Sequence, residues 1–348
     1  MYINSLTELY KKTPGTQITD NDKITFFSDL HMGNKGRQDD FHKNANLFSK
    51  VLRKYYLQND FQLVLNGDVE DLHKFSLEKV VETWLDVYSL FLEFDKRTRL
   101  YKLIGNHDYA LPFKHGYMFY DKIQESIKFN YNGHDIFVFH GHQASNMIDK
   151  YNTFFGFFLR YLIKPLGWPN VSTAYDSRRK YKVEKNVYQF STRQRVVSIL
   201  GHTHRPLFES LSKVDSLKFK IENLCRVYPQ APKNEKKNIE SEITKYKKQL
   251  KSLSETQIGT RSSLYNSEIT IPCMFNSGTV IGKRGMTALE IKNGRIYLVY
   301  WYDDRVKQKS IPVYDEGPVQ LEDTHFHKIV LKHDPLDYIF ARIKLLSD

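Results

Sequence analysis

The chain has 348 residues, a formal net charge of +12 and two cysteines, Cys225 and Cys273. Two cysteines cannot build a disulfide framework, and neither belongs to a Cys-x-x-Cys pair, which excludes a disulfide-stapled scaffold and a thiolate zinc finger. No run reaches the ~18 apolar residues of a membrane-spanning helix, and Met1 to Thr13 lacks the apolar stretch of a signal peptide, so a cytoplasmic setting is expected.

From Lys23 onward, strand-like and helix-like stretches alternate. Ile24 to Phe27 is a short β-branched and aromatic run, and Phe41, Ala45, Phe48, Leu52 and Tyr55 then recur at helical spacing. Phe61 to Leu65 predicts the next strand. Val80, Val81, Trp84, Tyr88 and Phe91 predict a second amphipathic helix. Further strands are expected at Leu100 to Ile104, Ile136 to Phe139 and Val196 to Leu200. Such alternation argues for an α/β architecture with functional residues on loops at the strand ends.

Two stretches interrupt the rhythm. Residues 143–194 contain the aromatic run Phe154 to Ile163 followed by the basic cluster Arg178-Arg179-Lys180. The run reads either as a helix packed on the core or as a lid that touches a membrane surface through 154–163. Residues 209–268 carry two heptad-like seams on either side of Pro229 and Pro232, which predicts a helical hairpin. Beyond it, Ile269 to Phe275 resumes the strand pattern. Met286 to Ile291 and Arg295 to Tyr300 flank Asn293-Gly294, a hairpin signal. The tail 303–348 is expected to hold a helix near Leu336 to Leu345.

Six of the apolar runs end on side chains that favour metal ions. In order these are Asp29-Leu30-His31, Gly67-Asp68, Gly105-Asn106-His107-Asp108, His140-Gly141-His142, Gly201-His202-Thr203-His204 and Asn276-Ser277-Gly278. Hard oxygen and imidazole ligands delivered from successive strand ends can converge on a pair of divalent metals. On an extended segment, Asp29 and His31 point the same way, as do His202 and His204. A single Asp-x-His arises often by chance, but this ordered set does not.

In this order of blocks the chain resembles the calcineurin-like metallophosphoesterases, from about Ile24 to Tyr302. The resemblance implies two facing mixed β-sheets flanked by helices, in a domain spanning 22–302 and interrupted by the two insertions. It implies that Asp68 bridges two metal ions, that Asp29, His31 and His204 complete one site, and that Asn106, His140 and His202 complete the other. Manganese, iron or zinc would suit such donors.

Two ions about 3.5–4 Å apart hold a bridging hydroxide and clamp the phosphoryl oxygens of a phosphorylated substrate. His107 would then stabilise the developing charge or protonate the leaving oxygen, with Asp108 orienting its imidazole and Asn276 supporting the ligands. His142 is a candidate for contact with substrate phosphate or a ligand and reads equally as a loop histidine bonded to backbone. One of Asp71 and His73 could support the ligands, against a plain loop role, and Arg37 could reach a phosphate, against an exposed salt bridge. His325-x-His327 looks ligand-like but lacks acidic company.

Two alternatives stay open. The aromatic insertion is similar to that of UDP-2,3-diacylglucosamine pyrophosphohydrolases, although His107 and His142 stand where that group carries arginine and aspartate. The excess of positive charge would also suit a non-catalytic module that binds nucleic acid or protein. The chain has no aromatic–basic alternation of the kind that stacks bases, so nucleic acid is not the favoured partner.

Overall fold

The computed structural model describes residues 2–145, 177–209, 228–257, 271–307 and 317–347, with isolated helical positions between 217 and 225. The aromatic run 154–163 lies outside the described residues, as does most of the first helix expected in the hairpin. The chain divides into a large unit, Met1–Phe208 with Cys273–Asp348, and a small one, Glu209–Pro272.

The large unit opens with α1 (Tyr2–Lys12) and β1 (Gly15–Ile18). Next come β2 (Ile24–Phe27), α2 (Ala45–Val51), β3 (Gln62–Asn66), α3 (Leu77–Thr83), α4 (Leu85–Arg97), β4 (Leu100–Leu103) and β5 (Ile123–Gln124). β6 (Ser126–Tyr131) and β7 (His134–Phe139) form an antiparallel pair, and α5 (Ser177–Gln194) leads to β8 (Val197–Leu200). The small unit contains α6 (Lys233–Gln257), preceded by a single turn at Tyr228–Gln230. There the Lys236 ammonium lies 5.2 Å from the centre of the Tyr228 ring. The large unit then resumes with β9 (Met274–Asn276), β10 (Gly285–Lys292), β11 (Arg295–Asp303), β12 (Val319–Gln320), β13 (Phe326–Pro335) and α7 (Leu336–Leu346).

Two mixed sheets result, in the orders β1-β6-β7-β8-β9 and β12-β13-β11-β10-β2-β3-β4-β5. Strands β2, β4 and β8 are buried at every position. Strands covered on both faces read as continuous apolar runs, as these do. Their residues alternate between layers. Phe26 of β2 and Tyr101 of β4 meet Phe129 of β6 edge-on across the sandwich, at 6.2 and 5.4 Å between ring centres. Phe27, Leu63 and Leu65 face the other way, into the cluster capped by Phe48, Trp84 and Phe91. α1 and α5 cover the outside of the five-stranded sheet through Tyr10, Phe137 and Phe190.

Three expectations change. The helix read through Val80 to Phe91 is two helices, because Trp84 leaves helical geometry (φ −116°, ψ 32°), and its indole N–H donates to Gly33 O at 3.1 Å. A strand that periodicity missed, β13, pairs along β11 with a bulge at Leu298/Val299. β1 and β13 also lie outside the span 22–302, yet both are hydrogen-bonded members of the sheets. The Asn293-Gly294 hairpin forms as expected, with both residues at positive φ (51° and 64°). Among the described residues, no helix is long and apolar enough to cross a membrane.

Candidate metal centre

The metal-preferring residues follow β2, β3 and β4 of one sheet and β7, β8 and β9 of the other, three parallel strand ends from each. The loops after β2 and β3 run side by side. Asp29 N donates to Gly67 O at 3.1 Å and His31 N to Asp68 O at 3.0 Å. Bonds across the sandwich lock the two sheets at this end. His202 N donates to Asp29 Oδ2 (3.0 Å), and His140 Nδ1 lies 2.7 Å from Asn66 O. Side chains would block this approach. A Cβ on Gly105 would lie 2.1 Å from Asp68 Oδ1, and one on Gly201 would lie 2.4 Å from Ser28 Oγ.

The donors gather into two adjoining groups. In one, Asp29, His31 and His204 place ligand atoms within 4.8 Å of one another; in the other, Asp68, His140 and His202 do the same. His31 Nε2 lies 3.9 Å from Asp68 Oδ2, which brings Asp68 to both groups. Asn106 presents a buried Oδ1.

The backbone corrects the extended-segment argument. Asp29, His31, Asp68, His202 and His204 all have φ between 50° and 62°. In the left-handed region, successive side chains do not alternate as in a strand. The pairs Asp29/His31 and His202/His204 converge because the loops turn sharply, at a conformational cost of order 1–3 kcal/mol for each such residue.

Asp108 requires a second correction. Its carboxylate does not meet His107. It accepts the backbone N–H groups of Gly105 (2.6 Å) and Val69 (2.8 Å) and sits 3.7 Å from the buried Lys102 ammonium. Fixed by those bonds, it turns away from the site and fastens its two loops together. Burial, with Glu70 and Asp68 nearby, pushes its carboxyl up to about 6 against the pull of Lys102.

The partner of His107 is Asp71, with Nδ1 and Oδ1 2.9 Å apart. Asp71 is buried, and Lys74 holds its other oxygen at 2.9 Å. Burial works against this carboxylate, but the bond to His107 and the charge of His31 hold it well below the usual range. The spacing Asp68-Val-Glu-Asp71 carried a signal for this role, since the loop returns Asp71 towards the site after one turn.

Asn276 donates through Nδ2 to Gly201 O and Thr203 Oγ1, at 2.9 and 3.0 Å, and so braces the loop bearing His202 and His204. His142 is buried against the rings of His140 and His202. Arg37 is exposed. His325, just before β13, and His327, on β13, neighbour Asp304, and among the described residues they join none of these groups.

The electrostatics call for positive charge. Burial disfavours the Asp29 and Asp68 carboxylates, yet the surrounding histidines hold both well below the usual range. Burial alone would depress His140, but Asp68, Asp29 and the Asn66 carbonyl push it up to about 10. Burial and the His140 charge bring His202 down to about 3. Two buried carboxylates thus depend on cations beside them.

The calcineurin-like phosphoesterase family matches residues 22–206, just over half of the chain. The chain belongs to this family. The phosphoesterase is therefore a metal-dependent phosphoric ester hydrolase, and its family implies a pair of divalent metal ions. The match is to the family as a whole and singles out no subgroup. No curated protein sequence matches the phosphoesterase significantly. Among solved structures it is similar to a cold-active protein-tyrosine phosphatase of a psychrophile, Shewanella sp. (12% identity, covering 83% of this chain and 80% of that one, TM-score 0.38). It is also similar to a dimetal phosphatase from Danio rerio (11% identity, 80% and 95%, TM-score 0.37).

Proposed function

We propose that the protein is a dinuclear phosphoesterase in which Asp29, His31, Asp68 and His204 hold one divalent ion and Asp68, Asn106, His140 and His202 hold the other. One observation carries this reading. Asp29 Oδ1, Asn106 Oδ1, His140 Nε2 and His202 Nε2 are all buried, and none has a hydrogen-bond partner. Asp29 Oδ1 lies 3.0 Å from His204 Nε2, and His140 Nε2 lies 3.2 Å from Asp68 Oδ2, both without hydrogen-bond alignment. Four orphaned polar atoms would be costly unless something satisfies them together. The Asn66 carbonyl takes up His140 Nδ1, which leaves Nε2 as the ligating atom. The donor set of carboxylate, amide and imidazole suits manganese, iron or zinc.

When bound, two such ions would generate a hydroxide nucleophile near neutral pH and neutralise charge on the phosphoryl oxygens. The remaining chemistry belongs to this chain. The backbone N–H of His107 donates to Asp68 Oδ1 at 2.7 Å, which fixes the residue beside the shared carboxylate. Asp71 sets the tautomer by accepting from Nδ1, so that Nε2 is the atom that delivers a proton to the leaving oxygen. The ring of His107 is partly exposed, whereas Asp71 is sealed behind it, which leaves only the imidazole to meet substrate. A reducing, cytoplasmic setting is part of the same proposal, as the economical reading of a chain with only two cysteines.

Elemental analysis of the purified protein is expected to show two ions per chain. Turnover of phosphomonoesters, diesters or pyrophosphates should vanish with a chelator and return with added metal. Undiminished turnover after complete metal removal would refute the reading.

Asp71→Asn is expected to lower kcat by about 10–100-fold, as loss of an orienting partner does. The loss should be greater for an alkyl phosphate than for p-nitrophenyl phosphate, whose leaving group needs little protonation. Equal losses on both esters would remove the proton-transfer role from His107.

A further inference from the structure

His204 is followed by Arg205, whose guanidinium is bound to a carboxylate from another element. Glu184 of α5 is almost fully buried and accepts three bonds: from Thr203 Oγ1 (3.0 Å), from Arg205 Nε (3.1 Å) and from Arg205 Nη2. Thr203 is itself tied to Asn276. The fork therefore hangs from the same brace that holds the loop of His202 and His204. Glu184 occupies one edge of the guanidinium, while the side chain of Arg205 is 43% exposed. A guanidinium has five donors in a fixed plane, so the other edge is left to receive an anion.

Lys180 lies four residues before Glu184 on α5, on the same helix face, and is half-buried. Desolvation and the Arg205 cation depress its ammonium, against the pull of Glu184 and of Asp29. Arg205 is paired with Glu184, and Lys180 lies one helical turn from that carboxylate, so the group carries a surplus positive charge. That charge borders the Asp29, His31 and His204 group. A lone surface arginine would sway freely, whereas this one is pre-oriented, which favours planar recognition of a phosphate.

We propose that Arg205 and Lys180, backed by Glu184, form a subsite for a second phosphate of the substrate, distinct from the phosphoryl group that reacts. The preferred substrate is then a small molecule carrying two separate phosphates rather than its monophosphate counterpart. This rests on the hydrolase reading given above, and the experiment separates the two.

Adenosine 3′,5′-bisphosphate and adenosine 5′-monophosphate form a matched pair of substrates, with phosphate release as the readout. The metal-loaded enzyme is expected to favour the bisphosphate in kcat/KM by about tenfold or more, chiefly through KM. Arg205→Gln should shrink that ratio by about tenfold. Lys180→Gln should also shrink it, and because it leaves the Glu184 fork intact, it keeps the test decisive if Arg205→Gln does not fold. Raising salt from about 50 to about 300 mM should narrow the ratio further. Calorimetric titration of both nucleotides into Asp68→Asn, which spares the ligand from hydrolysis, should show the same preference as a difference in affinity.

Equal efficiency on the two substrates in the parent enzyme would overturn the subsite alone. So would variants that slow both equally. Failure on both nucleotides, with p-nitrophenyl phosphate or bis-p-nitrophenyl phosphate still turned over, would likewise overturn the subsite alone, whereas failure on all four esters with any of the three metals would overturn the hydrolase reading and the subsite with it.

Discussion

Asp68→Asn is expected to lower turnover by at least about 10²–10³-fold, the range found when one preorganised electrostatic group is removed from a reacting centre. Asp68 is the carboxylate that reaches both donor groups. Its Oδ2 lies 3.2 Å from His140 Nε2 and 3.9 Å from His31 Nε2, and its Oδ1 accepts the backbone N–H of His107. Asparagine keeps the shape and the acceptor for that N–H, so the fold should survive. What disappears is the negative charge shared between the two donor groups. Metal content should drop below two ions per chain, and circular dichroism should be unchanged. A variant with full metal occupancy and parental turnover would remove Asp68 from the bridging role.

Lys102→Met is expected to lower folding stability by about 3–5 kcal/mol, the usual consequence of stripping one partner from a buried ion pair. Lys102 of β4 is inaccessible to solvent, 2.7 Å from Glu70 Oε2 and 3.7 Å from Asp108 Oδ2. Tyr88 and Tyr117 each donate to Glu70 Oε1 at 2.7 Å. Methionine fills similar volume but leaves Glu70 and Asp108 buried without their cation.

The effect should extend beyond stability. Glu70 and Asp108 lie on the loops that carry Asp68 and Asn106, and Asp108 bonds both Val69 N and Gly105 N. Metal affinity should weaken together with the shift of the urea midpoint. A stability loss below about 1 kcal/mol would mean that this network is replaceable by ordinary packing.

How much of this was legible in the sequence depends on the length scale of each cause. Ile24 to Phe27 and Val197 to Leu200 read as buried strands because both faces of each are covered, so apolarity is continuous and local. The Asn293-Gly294 turn was legible because both residues tolerate positive φ. Trp84 was not. In sequence it is one more apolar residue at helical spacing, and the acceptors that fix its indole N–H, Gly33 O and Asp39 Oδ2, lie 51 and 45 positions away. Strand β13 was hidden for a similar reason. Its burial is partial from Val330 onward, so no clean alternation marks it, and pairing with β11 defines it.

The same division runs through the centre. The residue types and their order after successive apolar runs belong to the chain itself: hard oxygen and imidazole donors repeat at strand ends, and parallel strands must all end on one side. Tertiary structure alone decided how those donors meet. Left-handed backbone at five of them, not extended pairing, turns the side chains inward. Bonds between the sheets, from His202 to Asp29 and from His140 to Asn66, set the distances. Asp71 rather than Asp108 faces His107, because Lys102 and two backbone N–H groups draw Asp108 the other way. Composition and order are local properties that one dimension can record, whereas the competition for each carboxylate is settled among groups that only folding brings within hydrogen-bond reach.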